Sequence, residues 1–70
     1  MSKFKIGDIV KLYYRHALFH ELKNYYGIII YLNTDEDDLL NYGLIKIYIN
    51  NRIINVEEEQ IYIPKKFKKN

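Results

Sequence analysis

Residues 44–54 read L-I-K-I-Y-I-N-N-R-I-I, two β-branched runs on either side of an Asn-Asn pair. Asparagine is among the few residues besides glycine that tolerate the positive φ of a two-residue hairpin turn. Asn50 and Asn51 therefore predict a tight reversal between two strands, Leu44 to Ile49 and Arg52 to Val56. Alternation along the two arms places Ile45, Ile47, Ile49, Ile54 and Val56 on an inner face, with Lys46 and Tyr48 outside.

The same two-residue period extends in both directions. Phe4 to Tyr14 forms a first strand region, bent or bulged at Gly7-Asp8, with Val10 and Leu12 inward. Tyr25 to Leu32 forms the second, where Gly27 marks a bulge or a close approach of backbones. Its inward residues are expected to be Ile28, Ile30 and Leu32, and its outward ones Ile29 and Tyr31. After a single tight turn around Asn55 to Gln60, Ile61 to Ile63 is a last short strand, stopped by Pro64. Between the strands, Arg15 to Asn24 breaks the alternation, and Ala17, Leu18 and Leu22 fit one side of a short helical turn in a long loop. Asn33 to Gly43 is an acidic loop, with a helical turn expected across Asp37 to Asn41 and Gly43 closing it. The chain is thus expected to be all-β, a small, strongly bent five-stranded barrel over residues 1–64 with a flexible basic tail over 65–70. Closure removes the exposed strand edges that so isoleucine-rich a chain would otherwise present.

Seventy residues lie near the lower size at which a hydrophobic core holds a fold unaided, and with no cysteine there is no disulfide to help. Twelve isoleucines, eight tyrosines and three phenylalanines compensate, since such side chains bury much area on a pleated surface at little entropic cost. Isoleucine, lysine, asparagine and tyrosine make up about half the chain, the signature of A/T-rich codons. The net charge of +2 is too small to imply a polyanionic partner by itself. No apolar stretch has the length of a membrane span, and Met1-Ser2-Lys3 leads into a strand instead of a signal sequence. A soluble protein acting where it is made is expected, and the absence of cysteine suits a reducing cytosol.

F-K-I-G-D-I-V-K at residues 4–11, Y-G-I-I-I-Y-L at 26–32, I-K-I-Y-I-N-N-R-I at 45–53 and V-E-E-E-Q-I-Y-I at 56–63 together resemble the SH3-like barrel superfamily in its KOW/Tudor-like variety. The pattern looks most like the small, stand-alone SH3-like proteins of tailed bacteriophages. The tryptophan usual in the aromatic strand is absent, and Tyr48 is the nearest residue to it. The resemblance implies an SH3-like five-stranded barrel and, for location, an infected cell's cytoplasm or a virion. It specifies no ligand, because this barrel hosts many functions.

Four outward tyrosines, Tyr13, Tyr31, Tyr48 and Tyr62, are the foremost candidate site: large rigid rings with a hydroxyl, suited to anchoring a protein partner. Lesser readings of the same rings are that codon bias placed them and they shield strand edges, then that they stack on the bases of a single strand or cage a methylated cation. A basic set, Lys3, Lys5, Lys11, Arg15, Lys46, Arg52, Lys65, Lys66, Lys68 and Lys69, would serve a nucleic-acid binder, and its C-terminal lysines equally make a solubilising tail. His16 and His20 have the spacing of half a metal site, but no further His or Cys exists to complete it, so solvated loop histidines are the plain reading. Asp35, Glu36, Asp37 and Asp38 lack the spacing and central glycine of a calcium loop, and Glu57, Glu58 and Glu59 decorate a turn.

No nucleophile–base pair, glycine-rich phosphate loop or metal triad is present, so neither an enzyme nor a cofactor is expected. The function expected is a non-enzymatic protein–protein interaction module, phage-encoded, acting as an accessory virion component or as a small inhibitor docked on a host protein. The alternative is a KOW/Tudor-like nucleic-acid binder using the basic set and the exposed tyrosines. No membrane partner is expected.

Overall fold

The computed structural model describes residues 3–13 and 17–68. Five strands follow in order: β1 (Ile9–Leu12), β2 (Gly27–Leu32), β3 (Ile45–Ile49), β4 (Arg52–Val56) and β5 (Ile61–Tyr62). All neighbours are antiparallel, in the spatial order β4-β3-β2-β1-β5. The Asn-Asn turn behaves as its sequence predicts, with Asn50 at φ 50° and Asn51 at φ 63°. It brings Ile49 opposite Arg52 and sets the whole β3–β4 register down to Ile45 opposite Val56.

The core consists of Phe4, Val10, Leu12, Leu22, Ile29, Ile45, Ile47, Ile49, Val56 and Ile61, with Leu32, Ile54 and Ile63 packed at its margin. Among the described residues no α-helix or second sheet covers these side chains, so the inner face is buried by the curl of the one sheet, a barrel-like arrangement. A 3-10 turn over Ala17–Leu22 occupies the loop between β1 and β2 and delivers Leu22 to the core. Among the described residues no helix is long and apolar enough to cross a membrane.

β2 overturns part of the expected facing. Ile29 is buried, whereas Ile28 and Ile30 are 37% and 40% exposed. The pairing shows why: Ile29 lies opposite Ile47 but Tyr31 opposite Lys46, leaving Ile30 as the extra residue of a bulge. Ahead of the bulge Gly27 and Ile29 face inward; past it the phase flips, so Tyr31 is outward and Leu32 turns in. Gly27 marks a close approach instead of the bulge. A Cβ there would lie 3.2 Å from Ile47 Cδ1 and 3.3 Å from Ile49 Cβ.

Two other segments differ from expectation. Asp37 to Asn41 is not a helical turn but part of a run of reversals, closed by N–H donation from Asp38 to Asp35 O, Asn41 to Asp38 O and Leu44 to Asn41 O. The tail is folded through Lys68: Lys65–Phe67 form a 3-10 turn and the Phe67 ring meets Tyr26 edge-on at 5.5 Å. Residues 65–68 all remain exposed, and the contact between the Phe67 and Tyr26 rings is what ties the turn to the sheet.

Candidate interaction surfaces

The 33–43 loop builds the first surface from polar residues that satisfy one another. Asn33, only 8% exposed, sits at its base. Its side-chain oxygen accepts the Asp35 N–H at 2.9 Å and its amide donates to Asp38 at 3.1 Å. Asp35 Oδ1 accepts the Asp37 N–H at 3.0 Å, and the Asn41 amide donates to both Asp38 carboxylate oxygens at 3.3 Å. Gly43, at φ 83°, donates its N–H to Asn33 O at 3.0 Å and brings the chain back into β3. Such side-chain-to-backbone bonds are how Asn and Asp hold a turn without a core.

With its polar groups bound internally, the loop holds its apolar residues outward. Leu39 is 85% and Leu40 96% exposed, with Tyr42 beside them at 52%. Leu40, Tyr42 and Leu44 line a recess of about 310 Å³ whose other wall is Glu57, Glu58 and Glu59. Gln60 fixes that wall by accepting the Glu57 N–H at 2.8 Å. Crowding is evident there: a hydrogen bond and charge repulsion from Glu59 raise the Glu57 carboxyl above its ordinary pKa. A folded-state pKa above the unfolded one means that stability is lost as pH climbs through this interval. These carboxylates thus crowd one another beside the exposed Leu40.

The second surface is basic and aromatic. Tyr13 and Tyr62 stack with ring centroids 4.7 Å apart, tilted by 39°. They line a groove of about 590 Å³ together with Phe67, Lys3, Lys5 and Lys68. Next to it, Lys11 lies opposite Tyr62 across the β1–β5 ladder. The Lys11 and Lys66 ammonium groups stand 5.2 Å and 4.9 Å from the Tyr26 ring centre. A hydrogen bond from Lys66, joined by the charges of Lys66 and Lys11, outweighs desolvation and lowers the Tyr26 phenol below the ordinary tyrosine pKa. No strand contains a carboxylate.

The four tyrosines singled out in the sequence therefore do not form one cluster. Tyr13 and Tyr62 are a stacked pair, Tyr62 half-buried and Tyr13 37% exposed. Tyr31 lies opposite Lys46, whose ammonium is 5.7 Å from its ring centre, and Tyr48 donates its hydroxyl to Asn51 Oδ1 at 3.1 Å, bracing the hairpin turn. Of the basic set, Lys3, Lys5, Lys11, Lys66 and Lys68 gather with aromatic rings; Lys65 is exposed in the 3-10 turn, Lys46 stays with Tyr31, and Arg52 lies at the hairpin end. Arg15 and Lys69 lie outside the described residues, as does His16, and His20 is exposed. Among the described residues no three His, Cys, Asp or Glu converge on a point where a metal could sit.

Sequence reasoning passed over Leu39, Leu40, Tyr26 and Phe67. An apolar pair bounded by four acidic residues and a glycine was the available signal for the leucines. Nothing local marks Tyr26 and Phe67, which meet only through the fold. Compared with family models, with curated proteins and with solved structures, the chain matches none.

Proposed function

We propose that this protein is a non-enzymatic docking module that inserts Leu39 and Leu40 into an apolar pocket of a protein partner. The observation that carries the reading is a loop fixed by its own hydrogen bonds that nonetheless keeps two adjacent leucines 85% and 96% exposed. Large aliphatic side chains held in water by a preorganised backbone lose little entropy on binding and gain their full burial there. Glu57 to Glu59 wall the recess that Leu40 lines, and Asp35, Glu36 and Asp37 precede the pair in the same loop, so negative charge accompanies it. The matching partner surface is an apolar pocket with a basic rim, and the charges steer its approach. The SH3-like resemblance makes a phage-encoded accessory virion protein or a host-directed inhibitor the setting for such a module.

The test places a photo-crosslinking residue at position 40 and, as a control, at position 21, and compares each probe chain with and without Leu39→Ser. A single protein crosslinked from position 40, not from position 21, and lost on introducing Leu39→Ser into the probe chain is expected. If the same protein is captured from position 40 with and without Leu39→Ser, or equally from position 21, the leucines are not the contact and the reading fails.

A further inference from the structure

We propose that the basic–aromatic groove between the Lys3–Lys5 segment, β5 and the 65–68 turn binds single-stranded nucleic acid, a second activity on a surface separate from the leucine loop. Its volume of about 590 Å³ falls in the range of about 300–1,000 Å³ common to ligand sites. The chemistry alternates along it. Lys3, Lys5 and Lys68 border the stacked Tyr13–Tyr62 pair and Phe67, and beyond Phe67 the sequence of groups continues as Lys66, Tyr26 and Lys11. Ammonium groups interleaved with ring faces complement a polymer that itself alternates phosphate and base. A single small anion would use the lysines and leave the rings idle.

Charge and ring geometry narrow the occupant further. Asp8 is the one carboxylate bordering the groove, and one of its oxygens accepts the Lys5 N–H at 2.8 Å. The remaining acidic residues lie at Glu21, in the 33–43 loop and at Glu57 to Glu59. The Tyr13–Tyr62 stack is preformed, so a base laid against it meets rings already ordered. Duplex DNA hides its base faces in its own stack and would find only the lysines. An unpaired strand can use both.

Fluorescence anisotropy on the full chain tests this, with labelled oligothymidylate and oligouridylate, a duplex of equal length, and polyglutamate as competitor. Binding of the single strands in preference to the duplex is expected, weakening with salt along a log–log slope of about −2 to −3, or about −0.7 per phosphate contact. Lys66→Glu with Lys68→Glu, both on an exposed turn, should leave the unfolding curve in place and weaken binding about tenfold or more. Tyr62→Leu should weaken it about tenfold while leaving the salt slope unchanged, because a ring neutralises no phosphate. Should Tyr62→Leu unfold the chain, the lysine variant and the preference for single strands over duplex still decide. The proposal is overturned if oligothymidylate does not bind at low salt, or if duplex or polyglutamate binds as well as the single strands. The last result would make the groove a general cation patch suited to an acidic protein. Because the Leu39→Ser/Leu40→Ser variant should bind oligonucleotide normally, failure here and failure of protein docking are separately visible.

Discussion

Leu39 and Leu40 stand almost fully in solvent, while Ile45, Ile47 and Ile49, which follow within the same stretch of chain, are sealed from it. The side chains are nearly equal in hydrophobicity, so composition does not separate the two groups. The backbone does. In β3 the hydrogen bonds run to β2 and β4, and the pleat sends every second residue inward whatever the residue's neighbours are. In the 33–43 loop the backbone is tied by Asn33, Asp35 and Asp38 instead, and a loop held by polar bonds needs no apolar anchor. The strand spends its aliphatic residues on folding; the loop leaves Leu39 and Leu40 in solvent.

The largest effect should come from the strand. Ile47→Ala removes a side chain with no exposed surface and should destabilise by about 2–5 kcal/mol in denaturant melts, enough to unfold much of a chain this small. An intermediate effect is expected at the base of the loop. Asn33→Ala leaves the Asp35 N–H without its acceptor and Asp38 with only the Asn41 amide, and should cost about 1–3 kcal/mol, with the loss of order confined to residues 33–43. A spread of the disturbance into the β3–β4 register would show that loop and strand are not independently held. Leu39→Ser with Leu40→Ser should change stability by no more than about 0.5 kcal/mol, since surface substitutions remove no buried contact. A large loss there would place the leucines in the core and erase the contrast.

The smallest effect concerns the basic face. The lowered Tyr26 phenol should appear in an ultraviolet titration as a tyrosine ionising below the ordinary tyrosine pKa, returning toward that value in Lys66→Gln. The linkage sign is that of a depressed acid: its contribution is present above the unfolded-state value and lost as pH falls through the folded one.

Much of this architecture is legible in the sequence. Asn50-Asn51 needs positive φ in consecutive residues, and that requirement alone sets the hairpin and the inward row Ile45, Ile47 and Ile49. The run Ile28-Ile29-Ile30 is another matter. Three identical residues carry no period, so neither the phase of β2 nor the bulge at Ile30 can be read from it, and only the pairing with Ile47 and Lys46 resolves both. The interaction surfaces are less visible still. Tyr13 meets Tyr62, and Tyr26 meets Phe67, through the closure of the sheet, which local pattern does not encode. The leucine pair was hidden for the opposite reason: apolar residues in a loop read as buried until the loop's polar groups are seen to bond one another.

Amide hydrogen exchange across residues 33–44 of the isolated chain tests most directly whether the loop is a built display. Slow exchange is expected at Asp35, Asp37, Asp38, Asn41, Gly43 and Leu44, whose N–H groups donate within the loop. Exchange at unfolded-chain rates at all six, in a protein whose β3 amides remain protected, would mean that nothing holds Leu39 and Leu40 in place and would contradict the docking reading at its root.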